Sequence, residues 1–195
     1  LELYKPKLKE GLNNFKLIML GNLDPGIQMD ILSQVENDDK FVILDTMNYW
    51  IENFWDTLEE VINNSDLISI NDEESEMITG EKDLEKAAEV LHSMGPKFVI
   101  IKKAADGAEL FNFENKFKSN AFKVAKVVDP TGAGDCFIGG IAGYLTQSDV
   151  ISFDTIKSAI AYGTSIASYN VEDMGTKNLL NLSINDIKTR INKLH

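Results

Sequence analysis

The sequence predicts an α/β fold built on a mostly parallel sheet, with an antiparallel hairpin late in the chain. Two observations carry the first part: short apolar runs recur through the first hundred residues, and stretches of helical period separate them. A third, the pairing of two apolar runs across a short polar turn after residue 110, carries the hairpin.

The elements follow in order. Lys16-Leu17-Ile18-Met19-Leu20 ends at Gly21, and Phe41-Val42-Ile43-Leu44 ends at Asp45. Leu67-Ile68-Ser69-Ile70 ends at Asn71, and Phe98-Val99-Ile100-Ile101 ends at Lys102. Each run is continuous and partly β-branched, as a parallel strand covered on both faces requires. Ile51, Phe54, Trp55, Leu58 and Ile62 recur at helical steps, which predicts one amphipathic helix over 48–63. Leu84, Ala87, Ala88 and Leu91 repeat the pattern, and Gly95-Pro96 stops it. Such alternation implies βαβ units.

The pattern then changes. Leu110 to Phe113 and Phe117 to Val124 flank Glu114-Asn115-Lys116, which reads as the hairpin. A strand-like run, Val127-Val128-Asp129, leads into a glycine-rich turn. Helices are expected from about Gly132 to Leu145, Asp154 to Tyr169 and Ser183 to Leu194. With no repeat, low-complexity tract or linker, residues 1–195 read as a single α/β domain.

Composition narrows the function. The 195 residues carry 19 basic and 31 acidic side chains, a formal charge of −12. That balance argues against nucleic acid as a partner, since phosphate backbones are met by clustered lysine and arginine. Arg190 is the single arginine, so a phosphate would have to be held by backbone amides, lysine or a metal ion. Cys136 is the single cysteine, which excludes an intrachain disulfide and a multi-cysteine metal site. One thiol suits a reducing compartment. No apolar run reaches the roughly eighteen residues of a membrane span, and Lys5, Lys7, Glu10 and Lys16 interrupt the first twenty positions. A cytoplasmic protein with no membrane partner is the expectation.

The stretch that carries chemistry is Asp129-Pro130-Thr131-Gly132-Ala133-Gly134-Asp135-Cys136-Phe137-Ile138-Gly139-Gly140. Gly132, Ala133 and Gly134 have little or no side chain, so a ligand can approach their amides. Those amides fall in the first turn of a helix, where unpaired donors and the helix dipole suit an anion such as phosphate. Asp135 in that turn could equally be an ordinary helix-charge residue. Three familiar motifs fail here. The dinucleotide fingerprint meets Phe137 where glycine is needed, Gly175-Thr176-Lys177 has the wrong order for a Walker A loop, and Gly-x-Ser-x-Gly is absent.

Asp129 through Ala142 resembles the C-terminal signature of the ribokinase-like (PfkB) family of sugar and nucleoside kinases. Asn71-Asp72-Glu73-Glu74 is similar to a second family element, Asn-x-x-Glu just after a strand, and Lys102 to Leu110 resembles the family's nucleotide-binding loop. The resemblance implies ATP-dependent phosphoryl transfer to a hydroxyl of a sugar or nucleoside. It implies Asp135 as general base and the amides of Gly132, Ala133 and Gly134 as the anion hole. It further implies Asn71 and Glu74 as helpers in holding Mg²⁺, through water or phosphate, although Asn71 could simply cap the helix that begins at Asp72. Asp129 and Thr131 match a monovalent-cation position, with K⁺ as the candidate ion, and a β-turn role for Asp129-Pro130 stands beside it. Lys102, Lys103, Asp106 and Gly107 should lie near the nucleotide, with solvent exposure of the lysines the alternative. Here the chain departs from the family, which commonly has glycine around Ala104 or Ala105. Asn170 could reach the ribose or adenine, or serve as a helix C-cap.

Other residues read as bland. Trp50, Phe54 and Trp55 are core candidates, Cys136 a small buried hydrophobe, and two separated histidines, His92 and His195, with one cysteine make no zinc site or Ser-His-Asp triad. A full family chain also carries an N-terminal substrate half and a lid that often forms a homodimer, and neither is recognisable. The chain is thus expected to be the C-terminal portion of a longer protein, and a nucleotide-binding fragment without catalysis is the alternative. Thr46-Met47-Asn48-Tyr49-Trp50 departs from the proline-asparagine pattern of sugar-specific members, which leaves the acceptor open.

Overall fold

The computed structural model describes residues 4–9 and 15–194; Glu10 and His195 are among the positions outside them. Among the described residues six strands, β1 (Leu17–Leu20), β2 (Phe41–Asp45), β3 (Leu67–Asn71), β4 (Phe98–Lys102), β5 (Ala108–Phe111) and β6 (Lys116–Ser119), form one sheet in chain order. β1 pairs with β2 in parallel, Leu17 opposite Phe41, and β2 with β3, Ile43 opposite Leu67. From β4 to β6 the connections are too short for a parallel crossover, so the strands run antiparallel there.

The chain divides into two compact units, Leu1–Ile101 with Phe111–Glu114, and Lys102–Leu110 with Asn115–His195. The first is a βαβ array. Its helices are α1 (Pro25–Ser33), α2 (Asn48–Asn53), α3 (Trp55–Asn63), α4 (Asp72–Thr79) and α5 (Leu84–Ser93). Leu58, Val61 and Ile62 from α3 and Leu91 from α5 are fully buried with Leu44, Ile68, Ile70, Val99 and Ile101 of the strands. Each such side chain contributes about 1.5–3 kcal/mol of transfer free energy.

Four local expectations are corrected. The single helix over 48–63 is two, because Phe54 leaves the helical basin at φ −138° and ψ 34°. Tyr49, Trp50 and Phe54 pack there edge to face and tilted, while Trp50 and Trp55 rest half-buried against the core. Met19 in β1 is 37% exposed, so β1 is not covered on both faces. The strand-like run at Val127-Val128 is no strand. Both side chains are exposed, and the amides of Val128 and Asp129 donate to the Val171 carbonyl (2.7 and 3.3 Å) instead of to a neighbouring strand. β6 likewise ends at Ser119, short of Val124. Helix α1 had a readable start, Asp24 capping the amides of Gly26 and Ile27 with Pro25 in the first turn.

In the second unit α6 (Ala133–Leu145) crosses α7 (Phe153–Asn170), and α8 (Ile184–Ile191) packs on α7. The α6–α7 crossing needs glycine. A β-carbon on Gly140 would stand 2.9 Å from Gly163 Cα, and one on Gly163 would stand 2.5 Å from the Phe137 carbonyl oxygen. Backbone approaches backbone, and Ile138 and Ile141 of α6 and Ile156 and Ile160 of α7 are fully buried.

Candidate functional site

The glycine-rich turn opens α6 as the sequence places it. Asp129 Oδ1 accepts the Thr131 amide (3.0 Å), which turns the chain, and Gly132 takes a left-handed conformation (φ +78°) at the N-cap. Among the described residues no side chain caps this helix. The Ala133 amide donates to the Pro130 carbonyl (3.1 Å), so a tight turn engages one of the three amides; those of Gly132 and Gly134 meet no acceptor among the described residues. Asp135 is exposed in the same turn, and its Oδ2 lies 4.0 Å from the point where a β-carbon on Gly132 would stand.

A cation completes the mouth. Lys102 Nζ lies 3.6 Å from the β-carbon position of Gly134. Lysine charge and helix dipole thus act on one small volume, while the side chain of Lys102 is half-buried and its position constrained. Lys103 instead pairs with Glu109 at 2.7 Å.

The loop between β4 and β5 is tight. The Lys103 amide donates to the Gly107 carbonyl (2.7 Å), and a short 3-10 turn, Ala104–Asp106, fills the loop with Asp106 exposed. Ala104 sits at φ +47°, a conformation that favours glycine over alanine. Gly107 (φ +90°) could carry no side chain, because a β-carbon would stand 1.9 Å from the Ser119 carbonyl oxygen.

Behind the mouth, Asn170 ends α7 at 2% exposure. Its Nδ2 donates to the Gly175 carbonyl (2.9 Å), and Oδ1 is buried without a hydrogen-bond partner among the described residues. Both atoms lie 4.0 Å from the β-carbon position of Gly132. Hydrogen bonds from the Thr131 amide and hydroxyl, with the Gly175 amide, hold the Asp129 carboxyl below its ordinary pKa. Burial, and then the charge of Asp135, push the thiol of half-buried Cys136 up.

In the first unit Asn71 and Glu74 form a full capping box at the start of α4. Asn71 Oδ1 accepts the Glu74 amide (2.7 Å) and Glu74 Oε2 accepts the Asn71 amide (2.9 Å). His92 Nδ1 lies 2.8 Å from the Pro96 carbonyl oxygen and the ring packs on Phe113. Among the described residues no cluster of three or more His, Cys, Asp or Glu could hold a metal, and no helix is long and apolar enough to cross a membrane.

Two features of the site had no local signal. The contact of Asn170 with Gly132 and the reach of Lys102 to Gly134 join residues far apart in the chain, and only packing brings them together.

A family description, pfkB family carbohydrate kinase, matches residues 7–182. The cytidine kinase of Thermococcus kodakarensis is 31% identical over 134 residues, 66% of this chain and 48% of that protein. Among solved structures, the aminoimidazole riboside kinase of Salmonella enterica, complexed with aminoimidazole riboside and an ATP analog, superposes with a TM-score of 0.77 at 19% identity, over 92% of this chain and 63% of that one. The fructokinase of Vibrio cholerae O395, bound to fructose, ADP and calcium, gives 0.79 at 16% identity, over 96% and 63%. These two likenesses establish the fold. The chain spans about half or less of the length of the curated relatives it matches.

Proposed function

This chain belongs to the pfkB family of carbohydrate kinases, and on that premise we propose that it carries the phosphoryl-transfer part of an ATP-dependent kinase acting on a hydroxyl of a sugar or nucleoside. One observation carries the reading. An uncapped helix mouth, with Lys102 set over Gly134, shares its first turn with the exposed carboxylate of Asp135.

The chemistry follows from those groups. Asp135 takes the proton of the acceptor hydroxyl, whose oxygen forms a bond to the γ-phosphorus of ATP as the bond to the β-bridging oxygen breaks and ADP leaves. The amides of Gly132 and Gly134, with the Lys102 ammonium, stabilise charge on the transferred group. Ala133, whose amide is engaged by Pro130, keeps the turn narrow. Phosphoryl transfer needs positioning and charge stabilisation more than covalent help, so this set is sufficient. Asp106 and Gly107 shape the loop toward the nucleotide, and Asn170 supports the mouth from behind.

Asn71 and Glu74 are proposed to hold Mg²⁺ through water. Their donor set fits: the buried Glu74 carboxylate and the Asn71 carboxamide are hard oxygen groups, pre-oriented by the capping box, and Mg²⁺ retains several waters. When bound, the ion neutralises phosphate charge. Asp129 and Thr131 are the proposed K⁺ position; the turn they form presents a carboxylate already held in its charged form. We place the protein in the cytoplasm, and a homodimer would form as the family resemblance implies, through the lid.

The coverage of relatives favours a second reading, in which these residues bind nucleotide but turn over only with the family's substrate half. Calorimetric titration with MgATP and a turnover assay over a panel of sugars and nucleosides separate the two. Binding with turnover that Asp135→Asn abolishes supports the kinase, and binding without turnover supports the second reading. Absence of MgATP binding by folded protein rejects both.

A further inference from the structure

We propose that Arg190 is a positioning residue that holds the phosphate-binding turn in place from α8; the inference rests on the phosphoryl-transfer reading above. The single arginine of the chain is spent on one spot. Its Nη1 donates to Ser168 Oγ (2.7 Å), its Nη2 pairs with the Glu172 carboxylate, and its guanidinium stacks on Tyr169 (3.3 Å to the ring centre) and beside Phe122 (4.8 Å). The side chain is 13% exposed, so these contacts are well shielded from water.

The placement is what matters. Ser168 and Glu172 straddle Asn170 and Val171, and those two residues support the glycine-rich turn. The Val171 carbonyl accepts the amides of Val128 and Asp129, and Asn170 backs Gly132. Arg190 therefore grips the end of α7 on both sides of the segment that carries the turn. Tyr169, between them, also donates to the Asp186 carbonyl of α8 (3.3 Å). A planar fork with a stacking face meets all these partners at once; an ammonium could meet only part of the set.

The test reads the turn directly, by hydrogen exchange on the 195-residue chain. In Arg190→Ala the Val128 and Asp129 amides should exchange about tenfold faster, the loss expected when a charge-assisted contact is removed, while those of 138–145 keep their rate. Arg190→Lys should loosen the same two amides, and methylguanidinium should restore protection in Arg190→Ala but not in Arg190→Lys. MgATP affinity should fall and recover in parallel. Unchanged exchange at Val128 and Asp129, or acceleration spread equally through 138–145, overturns the proposal. Should Arg190→Ala not fold, Glu172→Gln with the same readout decides it. If the wild type does not bind MgATP, the kinase reading fails, while the exchange result still judges the positioning role.

Discussion

The ammonium nitrogen of Lys102 lies 3.6 Å from the point where a β-carbon on Gly134 would stand. A strand end and a helix start thus meet at one place, with a positive charge on each side of it. Removing that charge while keeping the stem tests its part in holding phosphate. Lys102→Met should weaken MgATP binding roughly 10–100-fold by calorimetry, the scale of hydrogen bonds to charged groups. Equal affinity in the variant would remove Lys102 from the site.

Two glycines of α6 and α7, Gly163 and Gly139, predict opposite outcomes. Gly163→Ala forces a β-carbon against the Phe137 carbonyl and should destabilise the protein by about 1–3 kcal/mol in urea unfolding. Gly139, exposed with nothing within 4 Å of its β-carbon position, should accept alanine with a gain of about 0.5–1 kcal/mol from helix propensity.

Ala104 sits in left-handed backbone at φ +47°, which costs an alanine about 1–2 kcal/mol. Glycine relieves that strain and loses part of the gain to its freer unfolded chain. Ala104→Gly should therefore be neutral to stabilising by up to about 1 kcal/mol in thermal unfolding. A clear loss of stability would show that the turn tolerates alanine without strain.

Asp129 bears on acid stability. Its folded pKa lies below the ordinary value because the Thr131 amide and hydroxyl, then the Gly175 amide, favour the carboxylate. The contribution is complete above the unfolded value near 4 and is lost as pH falls from there through the folded one. Melting temperatures from about pH 5 to pH 2 should fall more steeply in the wild type than in Asp129→Asn. Asp186, lowered by the Ser183 hydroxyl and amide, accounts for part of the slope that persists in the variant.

Much of this was legible in local signals. The β-branched runs announced the strands, Asn71 with Glu74 announced a capped helix, and Asp129 to Gly140 announced a turn opening a helix poor in side chains. The helix break at Phe54 was not legible, because a helical period continues through it and aromatic packing decides the backbone. Nor was the loss of a strand at Val127, whose apolar pair imitates one; the partner of its amides is a helix end.

The amino-acid order by itself determined the α/β class, the family and the residues at the helix mouth, because periods, caps and glycine turns act over a few neighbouring positions. Only the tertiary structure decided that Lys102 reaches Gly134, that Asn170 backs Gly132, and that the lone arginine braces the end of α7. Those contacts join segments distant in the chain, where period, cap and turn signals do not reach, so only packing sets their geometry.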